Sequence, residues 1–338
     1  MFNLFEDIFN QSIKWTGKVI GYSRGQKAIH ALSIGTGENA VSLIGGCHAD
    51  EPVGPLFLRR FCNYLENLSS DHFLLKNFNW WIVPHANPDG EIINQKWYDD
   101  NDDEYDIIKY LKYRVRELPG DDIEFGFPKE SHCSGLRPEN KALYDFWQSA
   151  GKDFWLHASL HGTMKAAGPW FLIEHSWQNR SESIQEKCKL QVSKMGYKLH
   201  DYNRHGEKGF HRISEGFCSR PDSISMRNHF LELGDNQMAD KFYPSSMETI
   251  RQMSSDALTI VSEMPLFILP HLEKCDDWPH PHWQEWSDKI NRWKLLVNDN
   301  EEQVRSEITS SGIKAMPVKD QMTLQWRYIT AALEEVSD

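Results

Sequence analysis

Short, strongly apolar segments that end at a glycine or a proline recur along this chain of 338 residues and constrain its fold more than any other feature. They are "AVSLIGG" at 40–46, "FNWWIVP" at 78–84, "DFWLHASLHG" at 153–162 and "ALTIVSEMP" at 257–265. Segments of this length and composition are typical of buried β-strands. Between the first two, apolar residues from Val53 to Leu68 recur at spacings of three and four, which predicts an amphipathic helix. The alternation predicts an α/β fold with a central mixed, twisted β-sheet flanked by helices.

Further local predictions complete this outline. "AIHALSIG" at 28–35 is separated from "AVSLIGG" only by "TGEN", so the two runs predict a hairpin of neighbouring strands. "PWFLIE" at 169–174 predicts another strand, and residues 181–195 predict a helix. The stretch 200–245 is rich in Gly, Ser, Arg and His, which predicts a long, lid-like excursion.

The composition changes near residue 271, and this change predicts the domain organisation. Beyond it, Trp and charged residues become frequent, with helical patterns from about 281 to 308 and from 319 to 336. A chain of this length accommodates one large domain with an appendage. We therefore expect a catalytic domain over residues 1–271 and a helical C-terminal extension over 272–338 that packs on it.

Charge and apolar patterning exclude several classes of partner. Acidic residues outnumber basic ones by 49 to 37, so the formal net charge is −12. Nucleic-acid binding depends on basic patches that neutralise phosphate, and an anionic membrane surface would repel this chain. No segment approaches the 18 or so consecutive apolar residues that a membrane-spanning helix requires. We therefore expect neither nucleic acid nor a membrane as a partner.

Two features favour a cytoplasmic location. The first segment, "MFNLFEDIFNQSIKW", lacks the basic start and apolar run of a secretory signal. The cysteines are scattered without a CxxC pair, which favours reduced thiols in a chain of this size. They are Cys47, Cys62, Cys133, Cys188, Cys218 and Cys275.

Residue types that bind metal ions lie at the ends of two predicted strands. His48 and Glu51 stand three positions apart directly after "AVSLIGG", and His161 lies at the end of "DFWLHASLHG". Imidazole and carboxylate are common zinc ligands, and a catalytic zinc ion takes three protein ligands and keeps a fourth position open. Because neighbouring strand ends meet at one edge of a sheet, these three side chains are candidate ligands. We interpret His157, in the same strand as His161, as a structural histidine.

Six short motifs follow one another in an order that resembles the M14 zinc carboxypeptidases, the carboxypeptidase A class. The motifs are "HADE" (48–51), "NPDG" (87–90), "GDDIEFGFP" (120–128), "RPENKAL" (137–143), "ASLHG" (158–162) and "SEMP" (262–265). The resemblance implies an atypical, cytoplasmic member of that family with a carboxypeptidase-like fold. It does not cover the residues beyond 271.

The resemblance also implies roles for individual residues. His48, Glu51 and His161 would bind one Zn2+ ion, and Glu263 would act as the general base. Asp122 falls where the family has a carboxylate that holds a ligand histidine, and such outer partners fix the tautomer of the ring.

Two further roles implied by the resemblance are assigned on spacing. An arginine stabilises the oxyanion in the family, and "YRVRELPG" offers Arg114 and Arg116, of which we favour Arg116. Tyr243 has the spacing of a substrate-side tyrosine, although a lid aromatic without a chemical role fits the same position. Both assignments therefore predict that Arg116 and Tyr243 lie near the substrate, as well as what each residue does there.

One motif departs from the family pattern in a way that bears on the substrate. Glu124 and Phe125 replace an Asn-Arg pair that binds the terminal carboxylate of the substrate in the family. A carboxylate brought to Glu124 would meet a like charge. We therefore expect Glu124 to contact a cationic group of the substrate, or else to form a salt bridge with an arginine. Candidate arginines that would hold a substrate carboxylate instead are Arg137, Arg204, Arg212 and Arg220.

The leading hypothesis is zinc-dependent hydrolysis of a peptide-like amide bond in a peptide or an amino-acid-derived small substrate. One alternative is a deacylase of the aspartoacylase and succinylglutamate desuccinylase kind, which acts on small N-acyl amino acids. Another is a non-catalytic binding protein with a peptidase-like fold. The sequence leaves open the identity of the substrate, exo- or endo-cleavage, the role of the tail and the oligomeric state.

Overall fold

The computed structural model describes residues 1–100, 102–129, 135–272 and 278–337, in which strands and helices alternate as the apolar runs predict. The strands are β1 (Lys18–Tyr22), β2 (Ala28–Ile34), β3 (Asn39–Gly45), β4 (Phe78–Val83), β5 (Phe154–Thr163), β6 (Trp170–Ile173), β7 (Arg212–Ser214), β8 (Phe217–Ser219), β9 (Leu258–Pro265), β10 (Phe267–Ile268) and β11 (Lys314–Ala315). The helices are α1 (Phe5–Phe9), α2 (Val53–Glu66), α3 (Phe73–Asn77), α4 (Pro88–Asn94), α5 (Ile107–Tyr113), α6 (Pro138–Gln148), α7 (Glu182–Lys194), α8 (Ser223–Glu232), α9 (Asn236–Ala239), α10 (Ser246–Met253), α11 (Pro281–Leu296), α12 (Glu301–Ser311) and α13 (Val318–Ser337).

A large mixed sheet forms the centre of the molecule, with its strands in the order β1-β2-β4-β3-β5-β9-β6-β8-β7. The four strands β4, β3, β5 and β9 are parallel to one another, whereas the pairs at either side include antiparallel ones. Helices α2, α7 and α13 pack on one face, and α6 and α10 pack on the other. This architecture confirms the predicted α/β fold with a central mixed sheet flanked by helices.

The predicted hairpin of the first two apolar runs is wrong. Both runs are strands, but β4 lies between them in the sheet. The chain leaves β3, passes through α2 and returns as β4 parallel to β3. Strand β4 thereby occupies the position beside β3 that a hairpin would have given to β2, which instead pairs antiparallel with the far edge of β4. A short connection along the sequence therefore does not decide which strands are neighbours.

The excursion at 200–245 contains regular structure of its own. Strands β7 and β8 lie within it and extend the sheet at one edge, where β8 pairs with β6. The helices α8 and α9 follow them. The low apolar content of these short elements hides them from pattern reasoning, because strands of three residues carry almost no periodicity.

The C-terminal residues pack on the rest of the chain through two separate surfaces. Helices α11 and α12 form an apolar cluster with α5, and the break between them falls at Asn300, which caps α12. Helix α13 lies on the central sheet, where its Trp326 ring contacts Phe57 and Phe61 of α2. The boundary at residue 271 stays a prediction, since α13 shares the main apolar core with α2 and α7. Neither α13 nor any other helix in the described ranges is long and apolar enough to cross a membrane.

The cysteines that the structure describes are unpaired thiols. Cys47, Cys62, Cys188 and Cys218 are all buried and form no disulfide. This agrees with the expectation of reduced thiols for these four residues. Cys133 and Cys275 lie outside the described residues.

Candidate metal centre

The three candidate ligands converge because their strands are neighbours in the parallel part of the sheet. His48 follows the end of β3, Glu51 lies two residues before the start of α2, and His161 lies near the carboxyl end of β5. The turn after β3 depends on Gly46, whose φ of 69° favours glycine and whose position leaves no room for a Cβ beside the His85 ring. In α/β sheets, the carboxyl edge of the strands is where sites are built.

The polar atoms of these residues lie at distances that suit a shared cation. Nδ1 of His48 and Nδ1 of His161 are 3.1 Å apart. Glu51 lies between the rings, with Oε1 at 3.1 Å from His48 Nδ1 and Oε2 at 2.8 Å from His161 Nδ1. Two ligands of one tetrahedral zinc ion, each bonded at about 2.0–2.1 Å, lie about 3.3 Å apart. Two imidazoles and a carboxylate within 4.8 Å of one another therefore fit zinc in donor type and in spacing.

Charges around Glu51 keep it ionised despite its burial. Burial raises the pKa of Glu51, but His48, Arg116 and His161 outweigh that effect and hold the pKa well below its usual range. Its Oε2 also accepts a hydrogen bond from the backbone N–H of Gly162 at 3.1 Å. An ionised carboxylate is the form that binds a divalent cation.

The far side of the His161 ring is held by two side chains. Nε2 lies 2.8 Å from Ser159 Oγ and 3.3 Å from Glu124 Oε2, and Glu124 is only 4% exposed. Burial lowers the pKa of His161, but Glu51 and Glu124 outweigh it and raise that pKa well above the ordinary value. Contacts at Nε2 leave Nδ1 as the nitrogen that faces His48 and Glu51.

Glu263 lies on β9 directly beside this group. It is the register partner of His161 across the β5–β9 pair, and it lines the same cavity as His48 and Glu51. Burial raises the pKa of Glu263 to about 8, with a further contribution from Glu51 and opposing contributions from His161 and Arg116. A carboxyl group with a pKa near neutrality is suited to accept and release a proton at physiological pH.

Both arginines of "YRVRELPG" donate hydrogen bonds to Asp50, and Arg116 also contacts Glu51 directly. Arg116 Nη1 donates to Glu51 Oε1 at 2.5 Å and to Asp50 Oδ1 at 3.2 Å. Arg114 Nε donates to Asp50 Oδ2 at 2.7 Å. Asp50 is almost fully buried and was not singled out by the sequence reasoning, although it lies inside "HADE". The signal for Asp50 in the sequence was its position between the candidate ligands His48 and Glu51.

Asp122 lies close to the centre but is not in hydrogen-bond contact with a ligand among the described residues. Its Oδ1 accepts a hydrogen bond from the backbone N–H of Phe125 at 3.4 Å. Burial raises the pKa of Asp122, and His48 opposes that shift through its charge. The predicted role of Asp122 in holding a ligand histidine stays a prediction.

The predicted substrate-binding residues do not lie together in the cavity. Phe125 packs edge-on against Phe242, with ring centroids 5.3 Å apart. Tyr243 is 43% exposed, and its ring lies 4.9 Å from Lys129 Nζ. Phe125, Tyr243 and Glu124 are absent from the described walls of the cavity. Their contact with substrate stays a prediction.

Three of the four candidate carboxylate-binding arginines are engaged away from the cavity. Arg137 is buried against Glu117 and Glu139. Arg212 forms a pair with Asp201, and Arg220 forms one with Glu174. Only Arg204 of this set belongs to the cavity walls.

A cavity of about 490 Å3 opens over the candidate ligands. Its inner wall includes His48, Glu51 and Glu263, and its outer wall includes Trp283 and Lys294 of α11. The sequence reasoning missed this second wall, because nothing in the composition of the tail specifies where its helices pack. A volume of this size accommodates a small peptide or an amino-acid derivative.

Comparison with known proteins agrees with this geometry. A family model described as zinc carboxypeptidase matches residues 13–246, which is more than half of the chain and confirms the resemblance drawn from the six motifs. Carboxypeptidase SOL1 of Arabidopsis thaliana is 30% identical over 138 residues, which make up 39% of this chain and 25% of that protein. The chain thus matches about a quarter of the length of this curated relative.

Solved structures share the fold at low sequence identity. A candidate metallopeptidase of Shewanella amazonensis superimposes with a TM-score of 0.53 at 14% identity, covering 98% of this chain and 91% of that one. A carboxypeptidase A of Helicoverpa armigera gives a TM-score of 0.50 at 12% identity, covering 99% and 71%. At such identities the likeness concerns the fold alone.

Proposed function

The chain belongs to the zinc carboxypeptidase family, and from this premise we propose that it is a zinc-dependent hydrolase that cleaves a peptide-like amide bond. The single observation that carries this proposal is the convergence of His48, Glu51 and His161 next to a buried Glu263 with a raised pKa. His48 Nδ1, His161 Nδ1 and the Glu51 carboxylate would hold one zinc ion. The four unpaired thiols fit the expected cytoplasmic location.

The residues around the candidate ligands support a division of labour in hydrolysis. When bound, zinc supplies a Lewis acid that polarises the scissile carbonyl and lowers the pKa of water toward about 7. Glu263 accepts the proton of the attacking water and passes it to the leaving nitrogen. Burial raises the pKa of Glu263, which favours the protonated form that this transfer produces.

Arg116 is the group that we assign to the developing oxyanion. Among the described residues, its contacts with Asp50 and Glu51 all run through Nη1, so Nη2 is available to a substrate oxygen. Arg114 lies on the other side of Asp50 and would stabilise that carboxylate. Preorganised donors of this kind stabilise charge that appears only in the transition state.

Glu124 has a structural alternative to the substrate contact expected from the sequence. Its carboxylate lies at the back of His161 and outside the described cavity walls. We assign it to holding the His161 ring, and we assign Asp122 to the surroundings of His48. With Phe125 packed against Phe242, the pair that holds a terminal carboxylate in the family has no counterpart at these positions. The substrate is therefore proposed to differ from a standard C-terminal peptide, unless its terminal carboxylate is held by a residue outside this pair.

The experiment that tests this function measures both the zinc content of the protein and its cleavage of amide bonds. The purified chain, loaded with zinc, is incubated with a panel of acylated dipeptides that carry either a free or an amidated C-terminus. We expect one zinc ion per chain and release of a free amine from part of the panel, both abolished by the chelator 1,10-phenanthroline. Stoichiometric zinc without cleavage of any amide would instead favour a binding protein. Cleavage confined to single N-acyl amino acids would favour the deacylase alternative.

A further inference from the structure

The outer wall of the cavity comes from a part of the chain that the family match does not include. That match ends at residue 246, whereas α11 contributes Trp283, Ile290, Asn291 and Lys294 to the cavity. The inner wall carries the chemistry, so the outer wall is free to recognise other parts of the substrate. The residues of α11 therefore bear on which substrate is bound.

Positive charge is concentrated in this cavity although the whole chain is strongly acidic, with a net charge of −12. The cationic side chains in its walls are Arg114, Arg116, Lys165, Arg204 and Lys294. The carboxylates in its walls are Asp50, Glu51 and Glu263. A cleft lined mainly by one sign of charge concentrates ligands of the opposite sign. A divalent metal ion would add to the positive excess.

Most of these cations already have a carboxylate partner in the protein. Arg114 and Arg116 are held by Asp50. Arg204 is held by Glu207, with Nη2 at 2.7 Å from Oε2. Such pairs are already neutralised and offer less to an incoming anion.

Lys165 differs from them, and it also differs from Lys294, which is exposed to solvent. Its Nζ donates to Ser287 Oγ of α11 at 2.7 Å and lies 5.2 Å from the centre of the Trp283 ring. Within the described ranges Lys165 forms no salt bridge, although Asp288 lies near enough to affect its pKa. The side chain is half-buried, so its ammonium group is partly removed from water without an opposite charge beside it. Burial lowers the pKa of Lys165, and the nearby Arg114 adds to that shift while Asp288 opposes it.

Lys165 also lies within reach of a bound substrate. It follows His161 by four positions, and four residues of fully extended chain span at most about 14 Å. Lys165 lines the same cavity as Glu51 and Gly162, and His161 contacts Glu51 through its Nδ1. An anionic group located one or two residues from the scissile bond would meet the ammonium group.

We propose that Lys165, held by Ser287 and Trp283 of α11, binds a carboxylate of the substrate, so that the enzyme selects peptides or amino-acid derivatives with a negative charge beside the scissile bond. This inference rests on the proposed function for the identity of the bond. The carboxylate belongs either to an acidic side chain or to the free C-terminus. Recognition is thereby moved from the positions of Glu124 and Phe125 to Lys165, which follows β5 and is held by α11.

Binding of four short probes tests this proposal without turnover. The probes are N-acetyl-Glu-Ala-amide, its neutral counterpart N-acetyl-Gln-Ala-amide, N-acetyl-Ala-Ala with a free C-terminus, and N-acetyl-Ala-Ala-amide. Kd is measured by isothermal titration calorimetry on two samples of the full chain. One is the zinc-loaded Glu263→Gln variant, and the other is the metal-free wild type. Because the metal-free measurement needs neither zinc nor catalysis, it stays informative even if the proposed hydrolase function fails.

We expect at least one carboxylate probe to bind about 10-fold more tightly than its neutral counterpart, in the presence and in the absence of zinc. A preference within the Glu/Gln pair would identify an acidic side chain as the source of the carboxylate. A preference within the Ala-Ala pair would identify the free C-terminus. Lys165→Met should abolish the preference, and Lys165→Arg should retain it, since it restores the charge. Lys289→Met is the control, because Lys289 lies on α11 beside Ser287 but pairs with Glu285 outside the described cavity walls.

Two results would overturn the proposal. One is equal affinity for charged and neutral probes in the wild-type protein, a comparison that does not depend on any variant folding. The other is a preference that survives in a folded Lys165→Met protein, as judged by its circular dichroism and melting temperature. In that case the charge is recognised by the zinc ion or by another cation, and Lys165 has no part in it.

Discussion

Oε2 of Glu124 lies 3.3 Å from Nε2 of His161, on the side of the ring that faces away from His48 and Glu51. Family members with an asparagine at this position have no negative charge there. A carboxylate behind a ligand histidine orients the ring and raises its basicity, which strengthens metal binding. In the proposed function, the replacement that would remove a substrate contact would instead support the metal centre.

The first prediction concerns this contact. Replacement of Glu124 by Gln should weaken zinc binding by about 10- to 100-fold, because the amide lacks the charge that supports His161. Zinc affinity is measured by competition with a chromophoric chelator. Glu117→Gln, which changes a carboxylate on Arg137 outside the centre, serves as the control. An unchanged zinc affinity in the Glu124→Gln protein would leave Glu124 without a role at the metal.

A second prediction separates the general base from the ligands. Glu263→Gln should bind zinc as tightly as the wild type but lose several decades of kcat, because the amide cannot carry the proton from water to the leaving nitrogen. Zinc content and kcat are measured on the same preparations. Wild-type turnover in a zinc-loaded Glu263→Gln protein would remove Glu263 from the mechanism.

A third prediction distinguishes the two arginines. Arg116→Met should lower kcat by about 100- to 1,000-fold, which is typical of the loss of one oxyanion donor. Arg114→Met should have a smaller effect, since Arg114 contacts Asp50 but not Glu51 in the structure. Steady-state kinetics on both variants decides between them. A larger loss for Arg114→Met would reverse the assignment.

The fourth prediction concerns stability in acid. His157 is fully buried, with Nδ1 2.9 Å from Ser42 Oγ and Nε2 3.1 Å from Ser246 Oγ, which agrees with its interpretation as a structural histidine. Burial lowers the pKa of His157 from 6.5 to about 3, and Arg220 adds to that shift. Between these values the unfolded chain binds a proton that the folded chain does not. His157 therefore lowers the free energy of unfolding as the pH falls from 6.5 toward 3, by roughly 1.4 kcal/mol per pH unit.

Urea denaturation of the wild type and of His157→Gln between pH 8 and pH 4 tests this sign. The variant should be less stable at pH 8, where it loses packing, but it should lose less stability on acidification. Other buried histidines contribute to the slope of both proteins, so the difference between the two slopes isolates His157. Parallel slopes would contradict the depressed pKa of His157.

The sequence predicts the inner half of the site and the centre of the fold well. "HADE", "ASLHG" and "SEMP" stand at the ends of strands whose apolar runs are unmistakable, and parallel strands bring their carboxyl ends together. The place of β4 between β2 and β3 could not be predicted in the same way. Strand order depends on how α2 packs on the sheet. The sequence of the loop between β2 and β3 does not indicate how this helix packs.

The outer half of the site was beyond prediction for a related reason. Lys165 and Ser287 are 122 positions apart, and their contact exists only because α11 packs over the end of β5. Glu124 offered a charge at a family motif, but whether that charge faces the substrate or His161 depends on side-chain geometry that spacing does not encode. Tertiary contacts between distant segments therefore decide which side chains surround the cavity.

Helix α13 has a consequence for how this protein is made. Its buried residues cover one face of the central sheet, and the Tyr328 hydroxyl donates to the carbonyl of Leu172 on β6 at 2.8 Å. Synthesis proceeds from the N-terminus, so every candidate ligand leaves the ribosome before this covering helix exists. A nascent chain released short of Val318 would carry the entire catalytic set on an exposed apolar sheet. We expect chaperones and proteases to recognise such a fragment, because its apolar sheet would be exposed.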